Sequence, residues 1–262
     1  MIAPTNTTRI GTILVLGAVL ASGLAGCERD EKLPPQLPAP PRPQAGQTEP
    51  NYEQMREQMV KQLQGQGMVQ SQAVIAAMKA TRRHLFVPEQ VRHLAYYDRP
   101  LPIGEDQTIS APGVVAKMTE LLDPQAEDIV LEVGTGSGYQ AAVLARLVKH
   151  VYTIEILVPL AESAEKRLKE LGYDNVTVRC GDGYQGWPEY APFDAIIVTC
   201  APDEIPQPLQ EQLAEGGRMV IPVGAEHAVQ TLYLLEKQAA AIHKTAVLPV
   251  RFVPMTGEAE QR

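Results

Sequence analysis

The sequence has little cysteine. Only Cys27, Cys180 and Cys200 occur among its 262 residues, which excludes a disulfide framework and a cysteine-rich zinc site; no metal is expected. Basic residues are also scarce. The 23 Lys and Arg stand against 31 Asp and Glu, a formal net charge of -8, so no broad phosphate-binding face and no nucleic-acid partner are expected. The apolar run "IGTILVLGAVLASGL" from Ile10 is too short and too Gly-rich for a spanning helix of about 20 residues. No internal repeat is visible. The length suits one enzyme-sized domain plus extras.

What precedes and follows that apolar run gives it a reading. Arg9, the apolar stretch and then small residues form the layout of a secretory signal. "LAGC", Leu24 to Cys27, resembles the lipobox of bacterial lipoproteins, which implies cleavage before Cys27 and lipid on its thiol. Two other readings stay open: an ordinary signal peptide with a chance cysteine, or a start assigned too far upstream and a cytoplasmic protein. The expected organisation is a signal at 1–26, a tether at 27–50 and a folded domain at 51–262, held by lipid on the periplasmic side of the envelope. Residues 34–50 carry seven prolines and no aromatic residue, a composition for an extended spacer rather than a core.

From Asn51 the composition turns to helix formers. "YEQMREQMVKQLQGQGM" and "SQAVIAAMKATRRHLF" repeat apolar residues at three- and four-residue spacing and predict two helices. The chain then alternates β-type runs, "DIVLEVG", "HVYTIE", "NVTVRC", "FDAIIVT" and "RMVIPV", with the helical segments "YQAAVLARLVK" and "LAESAEKRLKELG" after the first two; Gly172 is placed to close the second helix. The fold class this predicts is α/β, doubly wound and Rossmann-like, with a mostly parallel sheet and helices on both faces. "TLYLLEK" and "AVLPVRFVP" lack a long helix between them and predict an antiparallel edge pair. In the order third, second, first, fourth, the runs ending in Cys180 and Cys200 lie about 14 Å apart, beyond the reach of a disulfide. Two free, largely buried thiols are expected.

Ligands of open α/β sheets bind beyond the carboxyl ends of the strands, which directs attention to "GTGSG", Glu155 and "GDG". Gly134, Gly136 and Gly138 make Gly-x-Gly-x-Gly, and Tyr139 fills the slot where a dinucleotide fingerprint has its last small residue. Glu155, 21 residues after Gly134, suits the ribose hydroxyls of either NAD or S-adenosylmethionine. Asp182, ending the third strand, suits an adenine amino group and favours the methyl donor. Each residue also has a plainer use. The glycines could serve the turn, and Asp182 could form a turn or cap a helix. Trp187 and His84 are read as packing and structural residues.

"LPIGEDQTISAPGVVAKMTELL", "VLEVGTGSGYQAAVLA", "GDGYQGWPEYAPFDAIIVT" and "VRFVPMTG" resemble the protein-L-isoaspartate O-methyltransferase family over residues 51–262. The run Gln107-Thr108-Ile109-Ser110 with Pro112 is its specific part. The resemblance implies Ser110 as the active-site serine, and a cofactor site of Thr108, Ile109, Glu132, Gly134, Thr135, Gly136, Gly138, Glu155, Asp182, Gly183 and Thr256. It implies S-adenosyl-L-methionine as cofactor and methyl transfer to the free carboxyl of L-isoaspartyl residues in damaged proteins and peptides; a monomer is expected. Collapse of the ester to a succinimide and hydrolysis then return some aspartate. The attacking carboxylate is already ionised at pH 7, so positioning matters more than a base; Ser110 would bind it, hold a segment over the cofactor, or merely bond its own backbone. Gly113 and Cys200 depart from the family's habit, and an exported member lacks an evident methyl-donor supply. The alternatives are an exported, non-catalytic module binding damaged proteins, a small-molecule methyltransferase and a nicotinamide oxidoreductase.

Overall fold

The computed structural model describes residues 50–261 apart from His227, without the side chains of the final residues. These residues form one compact unit. The signal, Cys27 and the body of the tether lie outside the described residues.

Two helices come first, α1 (Tyr52–Gly65) and α2 (Gln72–Ala80), capped by the side chains of Asn51 and Ser71. α2 stops earlier than its apolar period suggests, because the chain turns extended at Thr81 and Arg83–Phe86 then makes a 3-10 turn. A hairpin of β1 (Leu101–Gly104) and β2 (Gln107–Ile109) leads into α3 (Pro112–Leu122), whose Pro112 stands in the first turn, where no N–H is needed. Gly113 donates its N–H to Asp98 at 2.7 Å, and a Cβ there would stand 2.8 Å from that carboxylate. A larger residue here would have to displace that carboxylate from the Gly113 N–H.

The main sheet contains β3 (Ile129–Val133), β4 (His150–Glu155), β5 (Val176–Cys180), β6 (Phe193–Val198), β7 (Leu213–Val223), β8 (Gln230–Gln238) and β9 (Ala241–Val250), in the order β5-β4-β3-β6-β7-β8-β9. The first five are parallel, and β8 and β9 are antiparallel additions at one edge. The expected third, second, first, fourth order is present. Alternate residues feed two cores. Val130, Ala195 and Ile197 face the N-terminal helices, α3 and α4 (Tyr139–Leu144), whereas Leu131, Val133, Ile196 and Val198 face Trp187, Tyr184 and α6 (Gln207–Gln212). α5 (Val158–Glu170) follows β4 and ends as expected, with Gly172 left-handed just past it.

Two expectations need correction. Both thiols are free, but Cys180 is exposed and Cys200 only half-buried by residue area; Cys180 ends β5, one of the sheet's two edge strands. The final strand stops at Val250 instead of running to Pro254. Gln230 displaces it from the ladder, its side chain accepting from the Phe252 N–H at 2.9 Å and donating to the Phe252 carbonyl at 3.3 Å. Residues 251–256 then cross back as a strap over the strand ends. Val253 and Met255 exchange backbone hydrogen bonds with Ala201, both 2.8 Å.

Candidate active site

Beyond the carboxyl ends of β3, β4 and β6, a pocket forms between the glycine loop, the segment 107–110 and the strap. Thr108, Ile109, Ser110, Gly134, Thr135, Gly136, Glu155, Gly183 and Thr256 all line it. Elements more than a hundred residues apart in the chain thus meet at one place.

The loop's shape follows from its glycines. Gly134 and Gly136 have φ of +96° and +53°, a region that side chains disfavour. At Gly134 an added Cβ would stand 2.3 Å from Thr199 Oγ1; that hydroxyl donates to the Gly134 carbonyl at 2.6 Å and ties β3 to the loop after β6. Glu155 ends β4 and accepts from the N–H of Gly136 at 2.8 Å and of Leu157 at 3.0 Å. Each oxygen keeps a further lone pair.

Three residues of the expected cofactor set stand off the wall. Gly138 starts α4 with φ +84°, and a Cβ there would press Leu168 on α5 at 3.1 Å; its smallness serves helix packing. Asp182 caps a turn by accepting from Tyr184 N–H at 2.9 Å, and it accepts from Glu258 N–H at 2.8 Å. It fastens the strap's far end, and only its neighbour Gly183 reaches the pocket. Glu132 is fully buried beneath the loop. It accepts from Thr153 Oγ1 at 2.6 Å, and that hydroxyl lies 2.7 Å from Thr135 Oγ1 on the pocket wall.

Burial pushes the Glu132 carboxyl up to about 8, with the nearby Glu155 charge acting the same way against the Thr153 hydrogen bond. The folded protein thus binds this proton more tightly than the unfolded chain. The stabilisation is complete below about pH 4.5, the unfolded value, and is lost as pH rises from there to about 8. A tenfold change in proton affinity is about 1.4 kcal/mol, so this window is worth a few kcal/mol. Glu132→Gln, neutral throughout, is expected to lose less stability than the parent between pH 6 and pH 8.5. Parallel declines in Tm for the two proteins would refute the assignment.

Ser110 stands between β2 and α3, and what holds it there was not foreseen. Arg83, completely buried, donates from Nη2 to the Ser110 carbonyl at 2.7 Å and from Nε to the Ala95 carbonyl at 2.8 Å. Its guanidinium lies over the Tyr139 ring at 4.9 Å. Burial lowers it to about 10, so it remains charged at neutral pH. The Ser110 hydroxyl makes no hydrogen bond among the described residues; the local backbone bond that would have made it purely structural is not formed. In "TRRHLF" Arg83 looks like part of a solvated basic run, and only burial singles it out. His84 is structural, stacked on Tyr52 at 4.1 Å and 2.7 Å from the Tyr96 hydroxyl.

The pocket's chemistry suits a cationic sulfonium bearing a nucleoside. Burial chiefly, and then the Glu155 and Asp182 charges, push the Cys200 thiol up to about 12. Glu155 supplies acceptors for a vicinal diol, while Ile156, Leu157 and Met255 add apolar wall.

Comparison with known proteins agrees with this geometry. The family model described as Protein-L-isoaspartate(D-aspartate) O-methyltransferase matches residues 53–260. The Nitrosospira multiformis protein-L-isoaspartate O-methyltransferase 1 is 53% identical over 209 residues, 79% of this chain and 89% of its own. A Syntrophobacter fumaroxidans relative, protein-L-isoaspartate O-methyltransferase 2, is 58% identical over 70% of this chain and 75% of its own. A solved protein-L-isoaspartate O-methyltransferase superposes with a TM-score of 0.72 at 31% identity, covering 78% of this chain and 67% of the other. A Plasmodium falciparum structure of that description, in complex with S-adenosyl-L-homocysteine, gives 0.68 at 26% identity over 77% and 98%. With the glycine loop, Glu155 and the 107–110 segment converging on one pocket, the chain belongs to the protein-L-isoaspartate(D-aspartate) O-methyltransferase family.

Proposed function

We propose that this protein methylates the free carboxyl of L-isoaspartyl residues in damaged proteins and peptides, using S-adenosyl-L-methionine, and so initiates their repair. The observation that carries this reading is the position of Ser110, which opens onto the pocket formed by the glycine loop and Glu155 with its hydroxyl uncommitted. When bound, the cofactor supplies an electrophilic methyl group on a sulfonium. Glu155, Gly134 and Gly136 are the residues to hold it, with Ile156 and Met255 against its apolar parts. Ser110 donates its hydroxyl to the substrate carboxylate and fixes that group's direction. Arg83 keeps the Ser110 backbone in place and contributes a buried positive charge on the side where an anion must settle. No general base is needed, because the carboxylate arrives ionised.

The test is transfer of labelled methyl from S-adenosylmethionine to an isoaspartyl peptide, with its ordinary aspartyl twin as control. Transfer to the first alone is expected. Ser110→Ala is expected to lower kcat/KM about tenfold or more, the loss of one hydrogen bond to a charged group, with cofactor affinity unchanged. Cofactor binding without transfer to either peptide would instead favour a non-catalytic binding module. The proposal includes an envelope location through lipidated Cys27, with residues 27–50 as tether; a mature protein beginning at Met1 would remove that part.

A further inference from the structure

Four guanidinium groups gather where the N-terminal segment meets α5. Arg56, Arg82 and Arg92 lie near enough to His84 to help burial hold its imidazole down, to about 4. Arg92 acts in the same sense on Arg167, whose guanidinium is lowered chiefly by burial. Among the described residues no ion pair involves any of the four. Like charges brought together in a partly buried place repel. Glu170 offsets part of this for Arg167 without closing to an ion pair.

A cavity of about 230 Å³ opens beside two of these groups. Arg92 comes to it from the 3-10 turn Glu89–Leu94 and Arg167 from α5. The Arg167 guanidinium is fixed, donating to the Ser137 carbonyl at 2.9 Å and to Ser163 Oγ at 3.1 Å. Arg92 Nε is buried and has no hydrogen-bond partner among the described residues, a costly state for a charged donor. Glu89, also on the wall, pairs with neither arginine. Gly136 and Ser137 separate this cavity from the pocket described above, since both residues line the two.

We propose that this cavity is an oxyanion subsite, taking a carboxylate or phosphate group with Arg92 as its principal donor and Arg167 as a second positive charge. A planar guanidinium with free N–H groups suits either anion. The anion has two possible sources: an acidic side chain near the isoaspartyl residue of a bound polypeptide, which rests on the repair reading, or a free phosphate, which does not.

Inorganic phosphate is titrated calorimetrically into the full chain at constant ionic strength. Arg92→Gln and Arg82→Gln are run beside the parent, Arg82 being an exposed neighbour off the cavity wall. The expected result is phosphate binding weakened about tenfold in Arg92→Gln, the loss of one charge-assisted donor, and little changed in Arg82→Gln. In parallel, KM is compared for isoaspartyl peptides with Glu or Gln at flanking positions. A lower KM for the acidic peptide that disappears in Arg92→Gln identifies the substrate as the source; phosphate binding without such a preference identifies the free anion. Neither effect in the parent, or equal effects in Arg92→Gln and the parent, overturns the proposal. Phosphate binding with no methyl transfer to any isoaspartyl peptide leaves the subsite standing and removes the repair reading alone.

Discussion

Gly134→Ala lowers cofactor affinity by about a hundredfold and stability by about 2 kcal/mol; these are the expected results, and they have separate causes. The stability cost is that of a side chain at φ +96°, about 1–3 kcal/mol for such backbone strain. The affinity cost comes from the methyl group arriving 2.3 Å from Thr199 Oγ1, so that either Thr199 or the loop must give way. Displacement of a binding loop by about 1 Å is enough to cost on the order of a hundredfold. Gly172→Ala is the control. Its φ is +78° and nothing lies within 4 Å of the added carbon, so it carries strain without collision and should leave cofactor affinity intact. Calorimetric titration of S-adenosylmethionine and urea denaturation of both variants separate the two effects. Equal affinities in the two would show that Thr199 yields freely and that the collision has no functional consequence.

Arg83→Met should lower both stability and turnover. The buried carbonyl of Ala95 and the part-buried carbonyl of Ser110 lose their donors, and an unsatisfied buried group costs about 1–3 kcal/mol. Relief from holding a desolvated cation offsets part of this, leaving an expected loss of about 3 kcal/mol. Turnover falls separately, because the backbone of Ser110 is no longer fixed and the positive charge behind it is gone; a decrease of at least about tenfold in kcat/KM is expected. Arg83→Lys keeps the charge, but a single ammonium group lacks the fork that spans two carbonyls. It should recover part of the turnover and less of the stability. The check is kcat/KM for an isoaspartyl peptide at a temperature where all three proteins are folded. A methionine variant with the parent's kcat/KM would remove Arg83 from the positioning of Ser110.

What could be read in the sequence and what could not divide along a physical line. β3, β4 and β6 were legible because parallel strands buried on both faces are largely apolar runs; β5, half-exposed at the sheet edge, was legible from its β-branched residues, and glycine marks the turns. The glycine loop and Glu155 were legible for the same reason, standing at strand ends whose place on the sheet is fixed by topology. Arg83 was not. Local sequence presents three successive basic or titratable residues, Arg82, Arg83 and His84, and the choice of one to be buried is made by carbonyls 12 and 27 residues away. Thr199 is similar, an ordinary threonine until the fold sets it over the Gly134 carbonyl. The strap reads as strand because Phe252 and Val253 have strand character, while the group that ends the strand, the amide of Gln230, lies 22 residues before Phe252. Asp182 stands at the end of β5 as its register implies; what local sequence does not show is that its oxygens also accept two backbone N–H groups and so tie down the turn after β5 and the chain beyond the strap.

The strap also imposes an order in time. Val253 to Thr256 form one wall of the pocket, and they are synthesised after every other residue that lines it. β3, β4 and β6 can pair while the chain is still growing, yet the pocket remains open on one side until the strap has returned and Asp182 has taken the Glu258 N–H. Pairing of β3, β4 and β6 and closure of the pocket are therefore distinct events for a newly made molecule, separated by the synthesis of β7, β8 and β9. Its catalytic life begins only after that crossing segment is released to fold back.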